Sequence, residues 1–157
     1  MKKLQALIKV LQDRGLKVAA AESCTGGMLG EALTSMPGSS RFFELGMITY
    51  SNEAKIKLLG VKESILCQYG AVSEDTAEDM SVNIKNIADA DIGISITGIA
   101  GPGGGSEEKS VGLVYIGVSM ENTTVYKHFF KGDRASIRKQ SVSYAIEHVL
   151  SLFTEER

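Results

Sequence analysis

Residues 92–97 read Ile-Gly-Ile-Ser-Ile-Thr. A period of two puts the three isoleucines on one face of a strand and the small residues on the other. This strand sits midway along an alternation of strand-like and helix-like runs. Leu4, Leu7, Ile8 and Leu11 recur at helical spacing, and Gly15 is a natural helix stop. Lys17–Ala21 is a short buried strand, followed by a helix predicted from Thr25 to about Thr34 with Met28, Leu29 and Leu33 inward. Phe43–Tyr50 is rich in β-formers, and Ser51-Asn52 can cap a helix that ends before Gly60. A short helix to Gln68 and another begun at Ser73 precede the isoleucine strand, the latter with Ala77, Met80, Ile84 and Ile87 as its inward stripe. Beyond a loop, Gly98–Lys109, come a strand pair, Val111–Met120 and Thr123–Phe130, and a last helix capped by Asp133. Mixed alternation of this kind predicts an α/β fold, a three-layer α/β/α domain with a mixed sheet. The chain has 157 residues, the size of one domain spanning 1–157, and it needs no disulfide or metal staple.

Composition excludes some functions. The formal charge is -2 and aromatics make up 6%, which gives nucleic-acid binding no support. Cys24 and Cys67 suggest no disulfide framework and fit a reducing cytoplasm. The N-terminus faintly resembles a signal peptide, but Gln5, Lys9, Gln12, Asp13 and Arg14 interrupt its apolar run. No segment reads as a membrane span. Two cysteines and two histidines are scattered without metal-ligand spacing.

Chemistry concentrates in Ala21–Gly27, AESCTGG. Ser23 lies where a strand hands over to a helix, and helix-start N–H groups can hold an anion or a developing oxyanion. Gly26 and Gly27 let a substrate approach the backbone. From local pattern alone, Ser23 or Thr25 reads more readily as a helix cap. A serine nucleophile needs a base, and neither His128 nor His148 has a triad-like spacing. Lys55, on the first turn of a helix, is a candidate, because the helix dipole there disfavours its charge. By itself it reads more readily as one more solvated lysine. The loop from Thr97, TGIAGPGGGSEEK, fits neither a Walker A loop nor a dinucleotide fingerprint. Arg134 and Arg138 share a helix face at i and i+4 and can bind a phosphate or serve as exposed charges.

Taken in order, AESCTGG, GSSRFFELGMITYSNEAK, GAVSE, TGIAGPGGGSEEK and GDR resemble the CinA C-terminal domain family, the nicotinamide-nucleotide amidohydrolases. The resemblance covers nearly the whole chain and implies the stand-alone form of that domain. It implies hydrolysis of the carboxamide of nicotinamide mononucleotide to nicotinate mononucleotide and ammonia, in pyridine-nucleotide salvage, without a cofactor. The family's Ser–Lys pair maps onto Ser23 and Lys55, with Tyr50 beside them. Ser110 stands where a proline is expected. On this reading Ser23 attacks, Lys55 takes the proton, and Lys55 or Tyr50 returns it to ammonia. N–H groups near Thr25 and Gly26 hold the oxyanion. The stretch Thr97, Gly98 to Gly101 and one of Arg134 and Arg138 hold the phosphate. Cys24 is the rival nucleophile, expected to point into the sheet–helix interface. A module that binds a pyridine nucleotide or another partner without hydrolysing it is the alternative. A cytoplasmic homodimer is the base-rate expectation for assembly.

Overall fold

The computed structural model describes residues 1–154. Five strands form one sheet: β1 (Val18–Glu22), β2 (Phe43–Ile48), β3 (Ile92–Gly98), β4 (Leu113–Ser119) and β5 (Thr123–Phe129), in the order β2-β1-β3-β4-β5. β1 runs parallel to β2 and β3, whereas β4 is antiparallel to β3 and β5. Helices α1 (Lys2–Arg14), α2 (Met28–Thr34) and α6 (Arg134–Ser151) pack on one face, and α3 (Asn52–Leu59), α4 (Glu63–Tyr69) and α5 (Glu74–Ala88) on the other. This is the three-layer arrangement with a mixed sheet that the alternation predicts. Among the described residues no helix is long and apolar enough to cross a membrane.

The isoleucine strand explains the two layers. Ile92, Ile94 and Ile96 are buried under α1, α2 and α6, each contributing roughly 1.5–3 kcal/mol of burial. The opposite, small-residue face lets the α5 backbone lie directly on the sheet. A Cβ on Gly93 would sit 2.0 Å from the Ser81 carbonyl oxygen, and one on Gly117 would sit 2.6 Å from that of Ala77. Ser95 Oγ donates to the Ala77 carbonyl at 2.6 Å and accepts the Gly117 N–H at 3.2 Å. The small side chains therefore serve helix–sheet contact as well as strand formation.

Some boundaries differ from expectation for physical reasons. β2 ends at Ile48, two residues early, because Thr49 and Tyr50 turn toward α3, whose start Ser51 caps by accepting the Ala54 N–H at 3.0 Å. α2 begins at Met28 rather than Thr25, because Gly26 and Gly27 adopt left-handed conformations, with φ of 57° and 99°. Ile87, expected to face inward, is 50% exposed near the end of α5. The parallel strands β1, β2 and β3 end side by side, and the candidate site residues Ser23 and Lys55 lie just beyond those ends, where such sheets generally hold ligands.

Candidate active site

Ser23 follows β1 directly, and its N–H donates to the Ile96 carbonyl of β3 at 2.9 Å. Lys55 rises from the first turn of α3 and is only 1% exposed. Its Nζ lies 3.1 Å from Ser23 Oγ, 2.9 Å from the Thr49 carbonyl and 3.4 Å from the Tyr50 carbonyl. No carboxylate of the described residues forms an ion pair with it. Burial pushes its pKa below the ordinary lysine value, opposed only by the nearby Cys24 sulfur. A neutral amine has two N–H groups and one lone pair. The two carbonyls can accept the N–H groups, which leaves the lone pair for the Ser23 hydroxyl proton.

Cys24 is 7% exposed, and burial pushes its thiol up to about 11. It stays protonated near neutral pH and is a poor rival to Ser23. Its carbonyl and that of Thr25 accept Arg138 Nε and Nη2 at 3.1 and 3.0 Å.

The oxyanion donors expected at the start of α2 need correction. That helix end already holds a carboxylate. Glu22, 3% exposed, accepts the Thr25 hydroxyl at 2.6 Å and the N–H groups of Gly27, Leu29 and Gly30 at 3.2, 3.0 and 2.8 Å. The Gly26 N–H is turned back to the Ser23 carbonyl at 3.1 Å. Among the described residues, the Cys24 and Thr25 amides in this turn have no carbonyl partner. The sequence reading does not single out Glu22. The available signal was an acidic residue shortly before a Gly-Gly helix start, where a negative charge complements the helix dipole.

A cleft of about 260 Å³ opens over Ser23 and Lys55. Tyr50, Thr97, Gly98, Gly101 and Arg134 line it, together with an apolar wall of Ala71, Val72, Ile99 and Ala100. No Asp or Glu lines it, so its fixed charge is positive. Thr97 Oγ1 donates to the Ala71 carbonyl at 2.7 Å, which fastens the chain ahead of α5 to β3. Arg134 Nη1 donates to the Gly101 carbonyl at 2.9 Å and Nη2 to Tyr50 Oη at 3.1 Å. Tyr50 thus meets Lys55 through its carbonyl and Arg134 through its phenol. Thr25, Gly26 and Arg138 do not line the cleft. Thr25 is fully buried, and Arg138 braces the Ser23 turn from behind rather than facing a ligand. His128 and His148 bond to each other through Nε2 at 2.8 Å, between β5 and α6, and do not line the cleft either. Among the described residues no three His, Cys, Asp or Glu side chains come together as a metal-holding group.

Known proteins resemble the chain in sequence and structure. A competence-damage inducible protein of Caldanaerobacter subterraneus subsp. tengcongensis is 52% identical over 146 residues, which is 92% of this chain and 35% of that protein. One from Moorella thermoacetica is 51% identical over 138 residues, covering 87% of this chain and 33% of the relative. The chain thus spans about a third of the length of these relatives. The crystal structure of competence/damage inducible protein CihA from Agrobacterium tumefaciens superposes with a TM-score of 0.93 at 38% identity, covering 96% of this chain and 93% of that one. Competence damage-inducible protein A from Klebsiella pneumoniae superposes with a TM-score of 0.95 at 32% identity, covering 99% and 98%. Residues 1–153 match the family model of the CinA C-terminal domain, and the chain belongs to that family.

Proposed function

We propose that the chain is an amidohydrolase that converts nicotinamide mononucleotide to nicotinate mononucleotide and ammonia by a Ser23–Lys55 mechanism. The observation that carries this reading is the buried amine of Lys55, without a carboxylate partner among the described residues, 3.1 Å from Ser23 Oγ. Lys55 Nζ takes the Ser23 hydroxyl proton as Oγ bonds to the carboxamide carbon, and the carbonyl oxygen becomes the oxyanion. The amide of Cys24, which lines the cleft, receives that charge. Use of the residue after the nucleophile as an oxyanion donor recurs in strand-to-helix serine turns, and one such donor is worth about 2.7–4 kcal/mol. The intermediate collapses, the C–N bond breaks, and the Lys55 ammonium gives its proton to the leaving nitrogen. Water then adds to the acyl-serine and loses a proton to Lys55, which passes it to Ser23 Oγ as the acid departs. Lys55 rather than Tyr50 is assigned the proton return, because Lys55 Nζ lies 3.1 Å from Ser23 Oγ and already carries the proton taken from it. The apolar wall suits a planar ring, and Arg134 suits a phosphate.

Ammonia release from nicotinamide mononucleotide tests the reading, with Ser23→Ala alongside and no metal added. Release by the wild type and none by the variant is expected. Saturable nucleotide binding without ammonia from either would replace the amidase with a binding module.

A further inference from the structure

Glu22 carries more than an ordinary helix cap. Its carboxylate gathers the N–H groups of Gly27, Leu29 and Gly30 and the Thr25 hydroxyl. On the carbonyl side of the same turn, the Arg138 guanidinium gathers the Cys24 and Thr25 oxygens. The turn that carries Ser23 is therefore gripped by an anion on its donor side and a cation on its acceptor side. The backbone of Glu22 reaches the other half of the pair: its carbonyl accepts the Thr49 N–H at 2.9 Å, and the Thr49 carbonyl accepts Lys55 Nζ at 2.9 Å. A helix N-terminus carries roughly half a positive charge and attracts anions. With Glu22 seated there, that end of α2 offers a substrate anion no competing site, and Arg134 is the cation facing the cleft.

We infer that Glu22 is a positioning residue: its buried carboxylate fixes the Ser23–Gly27 turn so that Ser23 Oγ stays on Lys55 Nζ and the Cys24 amide stays available to the oxyanion. This rests on the Ser23–Lys55 reading above. Glutamine at this position keeps one oxygen but sets an NH2 group against the helix donors, so the grip loosens while the volume is kept. A displacement of about 1 Å at a nucleophile costs on the order of a hundredfold in rate.

The test uses the whole chain with Glu22→Gln, Thr25→Val and the double variant. Three things are measured: kcat and KM on nicotinamide mononucleotide, the rate at which a fluorophosphonate modifies Ser23 (read by mass spectrometry of its peptide), and the melting curve. For Glu22→Gln, kcat and the Ser23 modification rate should both fall by about a hundredfold, with KM within about threefold of wild type. Thr25→Val, which removes one of the four bonds, should slow both by about tenfold and decides the matter if Glu22→Gln does not fold. The double variant should be slower than Glu22→Gln by clearly less than the tenfold of Thr25→Val alone, because both changes loosen the same carboxylate grip. Folded single variants with kcat and modification rates within about twofold of wild type overturn the inference, as do effects that multiply in the double variant. A wild type that leaves the nucleotide intact while its Ser23 modification still depends on Glu22 retires the substrate and keeps the positioning role. A wild-type Ser23 inert to both reagents overturns both readings.

Discussion

Lys55→Met isolates the one property on which the proposed chemistry depends, a lysine held neutral. In the unfolded chain the amine titrates near its ordinary value of about 10.4. Burial lowers it in the fold. Between those two values the unfolded state binds a proton that the folded state does not, so stability rises with pH by about 1.36 kcal/mol per unit. The cost of burying the amine is absent above pH about 10.4, grows as pH falls, and levels off below the folded-state pKa. Holding it neutral therefore costs stability at any pH between the lowered folded-state value and about 10.4. Methionine removes that cost and nearly conserves volume. It leaves the Thr49 and Tyr50 carbonyls without their Lys55 partner, at about 1 kcal/mol each. The stability of the variant relative to wild type should rise as pH falls below about 10.4, by about 1.36 kcal/mol per unit while the wild-type amine stays neutral. Urea unfolding of both proteins from about pH 6.5 to about pH 10 reads this directly, and turnover should be lost by about 10²–10⁴-fold throughout. A stability gap that does not change with pH would mean that Lys55 is charged in the fold, and the general-base argument would collapse.

Three further outcomes follow from the same geometry. Cys24→Ala should keep turnover within about threefold, for a stability cost of about 1 kcal/mol, and because the wild-type thiol titrates at about 11, thiol reagents should inhibit only at strongly alkaline pH. Arg134→Gln should raise KM for the phosphorylated substrate by about tenfold or more with kcat little changed, whereas Arg138→Gln should lower kcat, since Arg138 grips the Ser23 turn; steady-state kinetics separate the two. Thr49→Val should raise stability by about 1 kcal/mol in thermal melts, because the Thr49 hydroxyl is buried without a hydrogen-bond partner among the described residues.

Local periodicity carried most of the fold. The isoleucine alternation of β3, the heptad-like face of α1 and the Ser51, Ser73 and Asp133 caps all declare themselves within a few residues. What stayed hidden was fixed by contacts across the chain. The reason Gly93 and Gly117 lack side chains is the α5 backbone, which no window around either glycine contains. Arg134 and Arg138 share a helix face, as their spacing requires, yet one reaches the cleft loop and the other the Ser23 turn, because neighbouring positions on a helix meet different loops. Of the proposed reactive pair, the resemblance drew Ser23 and Lys55 together, while their local patterns favoured a cap and a solvated lysine. The role of Glu22 escaped because a strand-end carboxylate caps a helix that begins six positions later, outside the usual capping window.

The parallel pairing of β1 with β2 has a consequence for how the protein comes to life. Ser23 and Lys55 are 32 residues apart in sequence, and the register that aligns Glu22 with Ile48 brings them within 3.1 Å. A slip of a single residue along that ladder would displace one strand by about 3.3 Å and turn its side chains to the opposite layer. Lysine and serine would then be strangers within an otherwise sheet-like protein. The reactivity proposed for Ser23 would therefore report correct strand registration, a non-local event that is among the slower steps of folding. A refolding chain would regain helical signal well before it regained a reactive serine, and the delay between the two would time the closing of the sheet.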